Sequence, residues 1–156
     1  MSATASATFR EEAIIDTWPE ALDLLRANHA ETGILSKDDF DPDAERYFLM
    51  ERAGITKLFT MRDAGSKLVG YGSLILAKSH LHYPKKSYAH QDALYVVPEH
   101  RGRIAVEFIE FQDERLKEEG VNIVDRNTVS RGPAFARSLT RLGYAEAEVK
   151  FIRVLQ

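Results

Sequence analysis

Cysteine is missing from all 156 residues. Its absence excludes disulfides, a thiolate nucleophile and cysteine-bound zinc, and it fits a reducing cytosol, so a cytoplasmic protein is expected. Long apolar runs are missing too. No window approaches the roughly 20 apolar residues that a membrane helix needs, and no membrane partner is expected. The first eight residues, MSATASAT, lack the apolar core of a signal peptide and predict a flexible start, with residues 9–156 forming one domain. A basic excess is lacking as well: the formal net charge is -3, which gives no broad footprint for nucleic acid and makes it an unlikely partner. Local pairs such as Lys85-Lys86 and Arg101 with Arg103 still suit a small anion. No internal repeat is visible. Two phosphate-binding signatures are absent, the Gly-x-x-x-x-Gly-Lys-Ser/Thr run of nucleoside triphosphatases and the Gly-x-Gly-x-x-Gly fingerprint of dinucleotide folds.

What is present is ordinary globular composition. Hydrophobic residues make up 44% and charged residues 29% of the chain, and a chain of this length buries roughly 68–70% of its unfolded surface. Phe9 to Ile15 reads as a strand. Thr17-Trp18-Pro19-Glu20 then opens a helix with Ala21, Leu24, Leu25 and Ala27 on one face, ending near Gly33. Asp41-Pro42 opens a second helix, with Tyr47, Phe48 and Met50 on its apolar side and Gly54 closing it. Thr56–Arg62 and Lys67–Lys78 form a hairpin around Asp63-Ala64-Gly65-Ser66, and Tyr88–Val97 adds a third antiparallel strand. Helical spacing returns at Ile104, Ala105, Phe108, Ile109, Gln112 and Leu116, with Gly120 as the stop. Trp18, Phe108 and Phe111 read as core. Val121–Asp125 is a short strand, Gly132-Pro133 begins a helix that Gly143 terminates, and Val149–Leu155 reads as a last strand. The fold class expected is α/β (α+β): a mixed, mostly antiparallel central sheet flanked by about four helices, with a parallel crossover in the second half.

The loop between the third meander strand and the following helix, Arg101-Gly102-Arg103, lies where unpaired amides and the positive end of a helix dipole meet, a place that suits a phosphate. Gly102 permits close backbone approach. The run Asp92-Ala93-Leu94-Tyr95-Val96-Val97-Pro98-Glu99-His100-Arg101-Gly102-Arg103-Ile104-Ala105 resembles the acetyl-coenzyme A segment of the GCN5-related N-acetyltransferases. The order of elements and the ending Arg141-Leu142-Gly143-Tyr144 extend that resemblance over residues 9–155, and Gly70-Tyr71 with Ser79–Pro84 (SHLHYP) looks like a phage and prophage subgroup. Two positions depart from the family pattern. The loop is one residue shorter, without the middle glycine, and Leu139 stands where many members carry a tyrosine that protonates the leaving thiolate.

The resemblance implies acetyl-coenzyme A as acyl donor, coenzyme A as product, and direct attack by the amine of a small molecule or a protein. It implies backbone contacts from Leu94, Tyr95 and Val96 and a pyrophosphate cradle from Arg101 to Ala105, which takes in Gly102, Arg103 and Ile104. Asp92 is the base that the family pattern implies, with His90 as a competitor on the same strand face. His29, Glu31, His82 and Tyr83 fall in regions that line the acceptor site in such folds, and Tyr95 or Ser130 would stand in for the missing acid. Dimers are frequent in the superfamily, so a homodimer is open. A catalytically silent acyl-coenzyme A sensor or protein-binding module of the same fold is the alternative that the shortened loop and Leu139 suggest.

Overall fold

Hairpin chemistry at Asp63-Ala64-Gly65-Ser66 starts the sheet. In the computed structural model, which describes residues 6–128 and 133–155, Asp63 Oδ1 accepts the amides of Gly65 and Lys67 at 2.9 Å, closing the turn through an Asx contact. It joins β2 (Thr56–Asp63) to β3 (Leu68–Ala77). On the outer side β2 pairs with β1 (Ala7–Glu11), and on the inner side β3 pairs with β4 (Tyr88–Val96). These contacts are antiparallel; β4 then pairs in parallel with β5 (Ile123–Asp125) across a helical crossover, giving the order β1-β2-β3-β4-β5. The sheet is therefore mixed and mostly antiparallel, as expected from the meander followed by one crossover.

Helices cover both faces. Helices α1 (Ile14–Thr32) and α2 (Ala44–Arg52) enclose one core around Ile14, Leu58, Tyr71 and Tyr95, joined by Trp18, Leu24, Leu25, Tyr47 and Phe48. Helix α3 (Arg103–Glu118) presses Phe108 and Leu116 onto Phe59, Met61, Val69, Leu74, Ala89 and Val96 on the other. Phe111 packs against Phe9 and Phe59, as its helical spacing predicts. Helix α4 (Pro133–Arg141) follows β5. Among the described residues no helix is long and apolar enough to cross a membrane.

The differences from expectation have local causes. Ile14 and Ile15 begin α1 rather than end β1, because the Glu51 carboxylate of α2 receives the Ile14 amide at 2.9 and 3.0 Å. A cap supplied from 37 residues away leaves no signal in the local sequence, so Thr17 and Pro19 fall inside the helix. Helix α2 starts at Ala44, where Asp43 accepts the Arg46 amide at 3.0 Å. Ala7 and Thr8, assigned to the flexible start, pair with Asp63 and Arg62. Val121 is drawn out of β5 by the end of α3: its amide reaches Leu116 carbonyl at 3.0 Å across Gly120, whose φ is 84°, a Schellman closure. The expected strand Val149–Leu155 does not form. Its apolar residues stay exposed, Phe151 at 91%, because strand propensity is realised only against a partner edge.

Buried tyrosines make the fold sensitive to alkali. Burial raises the phenols of Tyr47, Tyr71 and Tyr144, the last pushed up to about 12. The fold thus keeps protons that the unfolded chain gives up near pH 10. From neutral pH up to about pH 10 the tyrosines leave stability unchanged, and it is expected to fall as pH rises toward about 12; denaturant melts at stepped pH measure it, and Tyr144→Phe should shallow the decline.

Candidate functional site

The site begins with one residue too many in β4. The β3–β4 register runs Ser73↔Ala93 and then Leu74↔Gln91, so Asp92 is the extra residue of a bulge, a device that re-aims a side chain. Asp92 Oδ2 accepts the hydroxyls of Tyr47 from α2 and Ser73 from β3, both at 2.9 Å. Among the described residues its Oδ1 has no hydrogen-bond partner, and the residue is exposed. Burial first, and the Asp92 charge second, hold the Tyr47 phenol far above its ordinary value. Tyr47 therefore remains a hydrogen-bond donor throughout the working pH range. Tyr71, shifted the same way by burial, accepts Asn28 Nδ2 at 3.1 Å.

Among the described residues one edge of β4 is open next to this carboxylate. The parallel ladder ends at His90↔Asp125, and a side-chain clasp closes its last rung: Asn127 Nδ2 donates to Gln91 carbonyl and Gln91 Nε2 to Asn127 carbonyl, each at 3.1 Å. Beyond the clasp no described strand pairs with β4 on that side. His90 binds the Asp125 carboxylate through Nδ1, and the bulge separates it from Asp92. Among the described residues the two candidate bases share no partner.

The free edge leads to the loop. Gly102 takes φ 99° and ψ -139° before α3, a positive-φ extended conformation that is nearly confined to glycine and costs a side-chain-bearing residue roughly 1–3 kcal/mol. Among the described residues a Cβ placed there would meet nothing within 4 Å, so the glycine answers to backbone angle and not to crowding. The first turn of α3 has neither a side-chain cap nor an acidic residue, which leaves its amides and the positive dipole end facing outward. The donor set fits an anion. The arginines are otherwise engaged: Arg103 Nε meets Glu107 at 2.7 Å, and Arg101 folds back along β4. Its Nε donates to Val96 carbonyl at 2.8 Å, its Nη2 to Glu31 at 2.7 Å, and its guanidinium lies 5.4 Å from the Tyr95 ring centroid.

The remaining predicted residues divide. His29 stacks on Phe40 at 4.4 Å, and with Thr32, Leu35, Asp39 and Tyr47 it lines a groove of about 570 Å³ beside the α1–α2 connection. Tyr47 joins that groove to Asp92. Glu31 accepts the Tyr95 hydroxyl at 3.4 Å as well as Arg101. His82 and Tyr83 lie elsewhere: the His82 amide bonds His80 Nδ1, and the His80 ring contacts Tyr83 and Tyr88 at the start of β4. Four residues of strand, about 13 Å, separate Tyr88 from Asp92. Leu139 is buried in the core, and Ser130 lies outside the described residues.

Sequence reasoning passed over Tyr47, read only as the apolar side of a helix, and Ser73. A buried tyrosine needs a partner for its hydroxyl, which was the available signal. It also passed over Arg126. This fully buried guanidinium bonds Asp113 at 2.6 Å, Tyr144 hydroxyl at 2.9 Å and Gln112 at 3.2 Å, locking β5, α3 and the Gly143-Tyr144 turn together.

No family model and no curated protein sequence matches this chain. Solved structures do. An aminoglycoside acetyltransferase from an uncultured soil metagenomic sample, in complex with sisomicin, is 19% identical with a TM-score of 0.72, over 96% of this chain and 97% of that one. Glucosamine-6-phosphate N-acetyltransferase from Arabidopsis thaliana is 17% identical with a TM-score of 0.69, over 97% and 99%. A predicted acetyltransferase with acetyl-CoA from Clostridium acetobutylicum is 12% identical with a TM-score of 0.73, over 96% of both chains. The fold is that of the GCN5-related N-acetyltransferases.

Proposed function

We propose that this protein is an acetyl-coenzyme A dependent N-acetyltransferase acting on the primary amine of a small molecule. The observation that carries the reading is the bulged Asp92 at the head of a free β4 edge that runs into an uncapped helix start. Backbone groups of Leu94, Tyr95 and Val96 would hold the pantetheine arm, and the amides from Arg101 to Ala105 would hold the pyrophosphate. Acetyl-coenzyme A supplies the thioester. The groove beside Tyr47, about 570 Å³, falls within the range of small-ligand pockets. The neighbours named for aminoglycosides and glucosamine-6-phosphate, both small amines, support that choice over a protein acceptor.

Asp92 is assigned the proton transfer. An alkylammonium has a pKa near 10.4 and must lose a proton before or during attack. Tyr47 and Ser73 fix Oδ2, which leaves Oδ1 to take that proton directly or through one water. Tyr95 donates its hydroxyl to Glu31 and so is not assigned as an acid toward the leaving sulfur.

Saturating acetyl-coenzyme A is expected to stabilise the protein by about 2.7 kcal/mol at 100 times its dissociation constant, read as a raised melting temperature. Release of free thiol with a panel of small amines and lysine peptides then tests transfer. No shift with the donor sinks the proposal; binding without thiol release favours a silent acyl-coenzyme A module; release with peptides alone overturns the small-molecule acceptor.

A further inference from the structure

Two residues expected in different ligand sites are bonded to each other. Arg101 belongs to the loop assigned to the donor, and Glu31 belongs to the last turn of α1, whose neighbours His29, Thr32 and Gly33 line the acceptor groove. The contact is a half-exposed pair held by more than one bond. Arg101 is fixed by Val96 carbonyl at Nε, by Glu31 at Nη2 and by the face of Tyr95, and Tyr95 hydroxyl donates to the same Glu31 oxygen. Val96 and Tyr95 are buried strand residues, so one end of this clasp is rigid. The other end carries α1 into a connection, residues 33–43, that holds only one short 3₁₀ turn. Such a segment belongs to the low-stability end of a fold. Nothing else couples the loop to that segment as directly: among the described residues, no other side-chain hydrogen bond joins residues 98–105 to α1.

We propose that Glu31 is a positioning residue that ties the donor loop to the acceptor groove through Arg101, so that a ligand ordering the loop also stiffens the end of α1 and residues 33–43. The inference rests on the acetyl-coenzyme A reading. Coupling follows from shared ordering: a loop already fixed by one ligand no longer lets the clasp fray, and the groove it anchors opens less often. Among the described residues three guanidinium N–H groups of Arg101 stay free after its present contacts, so the clasp need not break when an anion arrives.

Hydrogen exchange with coenzyme A as the probe tests this on the full chain. In the wild type, coenzyme A should slow exchange in peptides spanning 98–106 and, about two- to fivefold, the size an exposed ion pair carries, in peptides spanning 29–43. In Glu31→Gln the loop should still be protected while 29–43 is not, and Glu31→Asp should restore part of the effect. Loop protection with 29–43 unchanged in the wild type, or protected equally in Glu31→Gln, overturns the coupling and leaves the donor assignment standing. No protection at 98–106 overturns the acetyl-coenzyme A reading and the coupling with it. Glu31 is half exposed, so neither substitution should disturb the fold, and matching melting temperatures check that.

Discussion

Asp92→Asn is expected to lower kcat by about 10²- to 10⁴-fold, the contribution of a positioned general base. Its KM for acetyl-coenzyme A should change little, because the assigned donor contacts lie further along β4 and in the loop. The variant is well suited to the question. Asparagine keeps a carbonyl that accepts the Tyr47 and Ser73 hydroxyls, both 2.9 Å away in the native site, so the bulge should survive while the proton acceptor does not. The pH profile supplies the second readout: the limb in the wild-type kcat/KM profile that reports ionisation of the base should vanish from the variant. A variant with unchanged rate and unchanged profile would remove Asp92 from the chemistry and return attention to His90, which is tied to Asp125 at the β5 edge.

Arg126→Ala should be among the most damaging single changes to stability, costing about 3–5 kcal/mol, the usual result of stripping one partner from a buried ion pair. For a domain of this size each kcal/mol moves Tm by roughly 2–4 °C, so a fall of roughly 6–20 °C is expected in a thermal melt. The reason is the number of groups left behind. Asp113, Tyr144 and Gln112 all point at the guanidinium, and Gln112 is itself completely buried with no partner for its Nε2 among the described residues. The double replacement Arg126→Met with Asp113→Leu should recover much of the loss, since no charge is then stranded. A melt within 2 °C of the wild type for Arg126→Ala would show that water reaches the network. The effect bears on the site as well, because Arg126 follows β5 directly, and β5 and Asn127 fix the point where β4 becomes a free edge.

The meander, the crossover helix and the loop were legible in the sequence because each depends on contacts near in the chain. Asp63 closes its own hairpin, Gly120 closes α3 through Val121, and the spacing from Ile104 to Leu116 marks the face that the sheet buries. The loop assignment rested on Gly102 and the helix start behind it, and both lie where they were expected. Asp92 was nameable from the sequence, but its aim was not. Strand alternation paired it with His90, and only the β3–β4 register inserted the bulge that turns it toward Tyr47 and Ser73.

Local sequence thus determined most of the elements, their order, and the candidate anion loop, since turn angles, helix stops and apolar periodicity act over a few residues. Tertiary structure alone decided the start of α1, capped by Glu51 from α2, and the pairing of Arg101 with Glu31 across 70 positions. It also decided the fate of Val149–Leu155, whose apolar residues carry strand propensity yet pair with no strand of the sheet. Hydrogen-bond donors and acceptors are satisfied by whatever the fold brings near, and that information is not contained in the neighbouring residues.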